Sequence, residues 1–154
     1  MQNKDFEQNI GHKIRIIHNN IDKFFHTSWE KVGVEPTRMQ CATLQYLRMH
    51  EGEDVFQKDL EVAFSISGAT ATNILKVMEK EGLIRRIPMK RDARLKKLEM
   101  TEKGIYYNDV ARANVARLGE QMTDGFTEEE ITRFREYLDR LTQNIVDLVE
   151  EDTK

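Results

Sequence analysis

The densest chemistry in the chain lies between Arg85 and Lys97. Seven cations, Arg85, Arg86, Lys90, Arg91, Arg94, Lys96 and Lys97, share thirteen residues with one acid, Asp92. The segment therefore carries +6 in a 154-residue chain of formal charge −3, which leaves −9 on the remainder. A local patch of that density neutralises phosphates, and the patch decides partners where the mild total does not. A solvated basic hairpin has the same composition, so the patch alone leaves two readings open. The second group is Ser67-Gly68-Ala69-Thr70-Ala71-Thr72-Asn73. Small and hydroxyl side chains at the start of a helix permit close approach to base edges and phosphates. Asn73 has the donor–acceptor pair that adenine offers in the major groove. Lys76, one turn on, reaches toward a phosphate, and the helix N-terminus itself favours an anion. A merely well-capped helix with a small-residue packing face is the competing reading of this run.

Other chemistries find less support. His12, His18, His26 and His50 do not fall at i and i+4 on one helix face, and no HExxH run occurs, so no metal site is expected. The single cysteine, Cys41, excludes an internal disulfide and reads as a small packing residue rather than a redox sensor. There is no Gly-rich phosphate loop and no nucleophile motif, so no catalytic residue, no cofactor and no enzyme activity are expected. No apolar run approaches the roughly 20 residues of a membrane span, and the start Met1-Gln2-Asn3-Lys4-Asp5 has no secretory character. A cytoplasmic protein with no membrane partner is the expectation.

The elements that must carry the two groups follow from apolar spacing. Phe6, Ile10, Ile14, Ile17, Ile21, Phe24 and Phe25, extended by Trp29 and Val32, recur at helical steps, with Gly33 as the stop. Pro36 and Thr37 open a second helix whose buried side is Met39, Thr43, Tyr46 and Leu47. Gln57 to Phe64 is a short helix with Leu60, Ala63 and Phe64 inward. Ser65-Ile66-Ser67 is a tight connection, and Ser67 caps a helix to about Glu81 with Ile74, Leu75 and Met78 as its core face. Gly82 ends it. Leu83 to Pro88 and Arg94 to Met100 read as strands around a turn at Met89 to Ala93, with Pro88 at an edge or strand end. Thr101-Glu102 starts a helix carrying Tyr106, Tyr107, Val110, Ala113, Leu118 and Met122. Thr127 with Glu130 forms a capping box before a last helix. Ile131, Phe134, Leu138, Leu141, Ile145 and Leu148 give that helix a heptad-like seam, which must meet another helix.

Two short helices, a tight turn and a two-stranded hairpin make a winged helix-turn-helix. The fold expected is mostly α with a small β-wing. Residues 36–101 form the winged lobe, and residues 1–35 and 102–154 form a helical dimerisation region from the N- and C-terminal helices. At the hairpin tip, Arg94 suits a narrow minor groove, where negative potential is enhanced. Asp92 would aim Arg94 or Arg91 through a charge-assisted bond if the backbone stays extended. Arg85, Arg86, Lys96 and Lys97 on the strand stems, with Lys90, would supply phosphate contacts.

Gly82-Leu83-Ile84-Arg85-Arg86, the tip Arg91-Asp92-Ala93-Arg94 and Met100-Thr101-Glu102-Lys103-Gly104 together resemble the wing region of MarR-family transcriptional regulators. That family carries an Asp-x-Arg wing element and a Leu-Thr-x-x-Gly-like helix start, and Met100 here replaces the leucine. Asp59-Leu60 and Thr70 to Lys76 resemble its helix-turn-helix. The motifs cover residues 36–104, and helix order extends the likeness to the whole chain.

The resemblance implies a homodimeric, often ligand-released repressor of double-stranded DNA, with two winged units in successive major grooves of a pseudo-palindromic operator. It assigns Ser67, Thr70, Thr72, Asn73 and Lys76 to the recognition helix, with Ala69 beside them, and Asp92 and Arg94 to the wing tip. It also implies an effector pocket between the dimer helices and the lobe. His18, Phe25, Trp29 and Tyr46 are candidates to line it for a small-molecule effector, although core packing accounts for each as well. A winged-helix module that binds protein rather than DNA is the alternative, and the basic hairpin with its guarded arginine argues against it.

Overall fold

A computed structural model describes residues 9–33, 36–90, 92 and 94–153. Among the described residues eight elements follow in chain order: α1 (Ile10–Glu30), α2 (Arg38–Met49), α3 (Gln57–Phe64), α4 (Gly68–Lys80), β1 (Ile84–Pro88), β2 (Lys96–Met100), α5 (Glu102–Met122) and α6 (Glu128–Asp152). The fold is mostly helical, with one antiparallel hairpin paired from Ile84↔Met100 to Pro88↔Lys96. The chain divides into two compact units, residues 1–114 and 115–154, with the boundary inside α5. Each is described separately.

In the first unit the helix boundaries are written in caps. Thr37 accepts from Gln40 N–H at 3.2 Å while the Gln40 side chain accepts from Thr37 N–H at 2.7 Å, a reciprocal box that starts α2. Ser67 Oγ accepts from Thr70 N–H at 3.2 Å and starts α4. Ser65 takes a left-handed conformation (φ 51°) to turn the chain between α3 and α4. Gly82 does the same at φ 73° between α4 and β1.

The core gathers Leu44, Leu47, Leu60, Leu75, Met78, Leu83, Ile84 and Leu98 from all three helices of the lobe and both strands, with Trp29 and Tyr107 joining from α1 and α5. Trp29 and Tyr107 pack with ring centroids 5.8 Å apart. The start of α5 is fastened to the α4–β1 junction. Thr101 Oγ1 donates to Gly82 O at 2.6 Å, Lys103 Nζ donates to Glu81 O at 2.8 Å, and Thr101 N–H donates to Leu83 O at 3.1 Å. Gly104 is required there, since a Cβ would stand 2.1 Å from Leu83 O. Val55 O accepts from Leu98 N–H at 2.8 Å, and Phe56 bridges Lys97, so the α2–α3 loop adds a short third edge to the hairpin.

Three expectations need correction. Ala63 is exposed, because the short α3 turns only Leu60 fully inward and Phe64 partly. The second strand starts at Lys96 rather than Arg94, because Asp92 O accepts from Leu95 N–H at 3.0 Å and closes a turn over those residues. In α5, Tyr107 is buried while Tyr106 and Met122 are exposed, so that series straddles two faces. The apolar stripe of α1 lies on one helix face as its spacing requires, with Trp29 buried and Ile10, Ile14 and Ile17 exposed.

In the second unit, Gly125 (φ 82°) breaks the helix, and the Thr127–Glu130 box restarts it as α6. None of the 25 residues of α6 is buried, and Phe134, Tyr137, Leu138, Ile145, Leu148 and Val149 are exposed.

Candidate nucleic-acid interface

The two faces of α4 separate cleanly. Ala71, Leu75 and Met78 are at most 1% exposed and face the core. Ser67, Ala69, Thr70, Asn73 and Lys76 are exposed, and Thr72 is half-buried. Val77 and Lys80 continue the exposed face for another turn. The sequence reading stopped short of them, although their spacing of four and seven from Asn73 marks the same face. Thr72 has an internal role as well: Gln57 Nε2 donates to its hydroxyl at 3.0 Å and also reaches Gly68 O at 3.2 Å and Glu61 Oε1 at 2.9 Å. One amide on α3 thus holds the first turns of α4. Ser67 and Thr70 hydroxyls bond each other at 2.9 Å.

The wing divides between stem and tip. On the stem, Arg85 Nη2 lies 3.8 Å from Glu99, Arg86 Nε lies 3.4 Å from Glu79, and Lys97 Nζ lies 2.8 Å from Asp54 and 3.8 Å from Glu99. The Asp54 hydrogen bond raises the Lys97 ammonium above its ordinary pKa, with both carboxylates adding in the same direction against the effect of burial. Three of the four stem cations therefore face intramolecular acids. Lys96 and the tip residue Lys90 are exposed.

At the tip, Arg94 is 95% exposed. Asp92 Oδ1 accepts from Arg94 N–H at 2.9 Å, while the Arg94 guanidinium stands 3.9 Å away. The firm bond is to the backbone, so the acid closes the turn that presents Arg94, and the extended-strand argument for aiming it does not apply. Arg91 and Ala93, like Phe6, lie outside the described residues.

The four pocket candidates occupy different surroundings. Trp29 is in the core and Phe25 packs against it. Tyr46 stacks on His50 at 4.1 Å and meets Phe64 edge-on. His18 is exposed and pairs with Asp22 at 3.3 Å; eleven residues separate it from Trp29, about 16 Å along α1. Cys41 is half-buried against the core, and burial pushes its thiol pKa up, away from a reactive thiolate. Among the described residues, no group of three or more His, Cys, Asp or Glu side chains could hold a metal ion. No described helix is long and apolar enough to cross a membrane.

The sequence and the fold as a whole have counterparts in known proteins. A family model described as MarR family matches residues 33–95. The heme sensor PefR from Streptococcus agalactiae, solved in complex with heme, is 30% identical over 89% of this chain and 94% of its own, with a TM-score of 0.74. The chain belongs to the MarR family. Two further comparisons extend the likeness. The HTH-type transcriptional regulator YybA of Bacillus subtilis is 29% identical over 102 residues, 66% of this chain and 68% of YybA. The S. aureus MepR–DNA complex shares the fold at 22% identity, with a TM-score of 0.68 over 90% of this chain and 98% of that one.

Proposed function

We propose that this MarR-family chain is a homodimeric, sequence-specific DNA-binding transcriptional regulator, a repressor released by a small-molecule effector. The observation that carries the proposal is the exposed row Ala69, Thr70, Asn73 and Lys76 at the leading end of α4, in the same lobe as the exposed Arg94 of the wing. The α4 row suits a major groove and the arginine suits a minor groove. Ser67, Lys90 and Lys96 stand outside that row as exposed phosphate contacts, with Arg91 beside them by sequence. Asp92 serves by holding the turn, and Thr72 and Arg85 contribute from positions already bonded within the chain.

Homodimerisation is supported by the uncovered apolar faces of α1 and α6, which cost solubility unless a second copy covers them. Two-fold symmetry then sets two half-sites about one helical turn apart. PefR is a heme sensor and MepR has been solved with DNA, which supports a ligand-responsive DNA regulator here. Phe25 and Trp29, with His18 and Tyr46, remain the proposed effector region.

The test is anisotropy titration of a labelled duplex from the intergenic DNA upstream of the gene, across a salt series. Affinity is expected to fall steeply with salt, because each neutralised phosphate releases counterions. Arg94→Ala should weaken binding by about 1–3 kcal/mol. A flat salt response favours the protein-binding alternative. Addition of hemin to the preformed complex checks the ligand response through release of the duplex.

A further inference from the structure

Consecutive residues of β1 face opposite ways, and the two stem arginines follow that rule with different consequences. The Arg85 side chain is 67% exposed. The Arg86 side chain is 15% exposed and turns toward α4. Its Nε stands 3.4 Å from the Glu79 carboxylate, an ion pair without hydrogen-bond geometry at that nitrogen. Its Nη2 donates to the backbone carbonyl of Thr72 at 3.5 Å. Both partners belong to α4 and lie seven residues, two turns, apart on it. A planar guanidinium can span two such groups, whereas an ammonium on a flexible stem engages one point at a time.

Thr72 is also the residue that α3 grips. Gln57 Nε2 reaches its hydroxyl at 3.0 Å, so α4 is held at one residue from α3 and from the wing together. A largely buried guanidinium engaged by Glu79 and Thr72 is poorly offered to a phosphate, since only 15% of it is exposed and that contact would break both of its ties to α4. A rigid frame, by contrast, is what a two-point reader needs. The leading residues of α4 and the wing tip must be held to within about half an ångström to meet their grooves together.

We propose that Arg86 is a positioning residue of the DNA interface: it ties the recognition helix to the wing and fixes the rotation of α4 about its axis. The inference rests on the DNA-binding reading above and alters the part Arg86 plays in it, from phosphate contact to internal strut.

The experiment pairs Arg86→Ala, Arg86→Lys, Glu79→Gln and the double variant Arg86→Ala/Glu79→Gln with two readouts. The first is operator affinity over a salt series. The second is amide hydrogen exchange of the full chain without DNA. A positioning role predicts that Arg86→Ala and Arg86→Lys each weaken operator binding about tenfold. The slope of log affinity against log salt should stay that of the unmodified protein, and amides of α4 around Thr72 should exchange faster. Arg86→Lys keeps the charge, so its failure to rescue marks the fork rather than the charge as the working part. The double variant should lose no more than Arg86→Ala alone, because both substitutions break one tie. A slope reduced by about 0.9, the signature of one lost phosphate contact, with α4 exchange unchanged, would overturn the proposal. So would unchanged affinity together with unchanged exchange. If the unmodified protein binds no duplex in a salt-dependent way, the DNA-binding reading falls and the positioning role with it. The exchange arm needs no DNA and reports separately whether the tie exists.

Discussion

Helices α4 and α6 are both amphipathic, yet they use their apolar faces in opposite ways. In α4 the apolar residues disappear into the lobe, with Leu75 and Met78 at 0% exposure. In α6 the apolar series Phe134, Leu138, Ile145 and Leu148 stays 41–58% exposed along a helix with no buried residue. The difference separates two kinds of stability. That of α4 is internal to the chain, and its polar face is left for a partner. That of α6 is deferred: each large apolar side chain, already about half covered, still has about 1 kcal/mol to gain from full burial, and in the proposed dimer a second copy supplies it.

The largest effect that sharpens this contrast comes from substituting one apolar residue in each helix. Leu75→Ala should cost about 2–5 kcal/mol, with a fall in Tm that is the same at every protein concentration. Leu138→Glu should leave the lobe folded, shift sedimentation at micromolar concentration to monomer, and weaken assembly by at least about tenfold. If Leu138→Glu sediments as the unmodified protein does, the uncovered face of α6 has another occupant. If the Leu75→Ala loss grows on dilution, the lobe is not self-sufficient and the contrast fails.

The same contrast explains what the sequence made legible. Where apolar spacing and a cap coincide within one short segment, as in Ser67 with Leu75 and Met78 or Thr37 with Gln40, the element could be read directly. The stripe of α1 and the seam of α6 were legible as patterns, but a pattern does not say whether its partner lies in the same chain. The site divides along similar lines. Exposure of Ala69, Thr70, Asn73 and Lys76 follows from helical periodicity once Leu75 is inward. The loss of Arg85, Arg86 and Lys97 to Glu99, Glu79 and Asp54 does not, because all three acids stand outside the basic segment and meet it only through strand pairing or tertiary packing. Local charge density therefore overstated the number of cations available to a phosphate backbone.

A smaller effect tests how far α5 belongs to the lobe. Its first turn is locked to the α4–β1 junction, and Gly104 sits where a Cβ would come within 2.1 Å of Leu83 O. Backbone cannot yield as a flexible side chain does, so Gly104→Ala should destabilise by about 1–3 kcal/mol or somewhat more, read by urea unfolding. Gly119, further along the same helix, has nothing within 4 Å of a Cβ. There the alanine should stabilise slightly, through its higher helix propensity, by up to about 1 kcal/mol. Equal outcomes at the two glycines would mean that the close approach at Leu83 does not govern how α5 starts.

The smallest effect compares two capping boxes of the same design. Helix α2 is started by Thr37 with Gln40, and α6 by Thr127 with Glu130. Gln40 does not titrate. The Glu130 carboxylate accepts from the Thr127 backbone N–H at 2.8 Å and from its hydroxyl at 3.0 Å, and these bonds hold its pKa below the ordinary 4.5. A carboxyl whose pKa is lowered on folding stabilises the folded form above its unfolded pKa, and that contribution is lost as pH falls through the folded value. The start of α6 should therefore fray below about pH 4.5, while the start of α2 keeps its helical signals in the same spectra. Backbone chemical shifts of residues 128–131 against 38–41 across pH 3–6 check this. Glu130→Gln restores a neutral box of the α2 kind and should remove the pH dependence at α6 while keeping the cap. A pH response of equal size at both helix starts would place its origin in global unfolding rather than in the Glu130 cap.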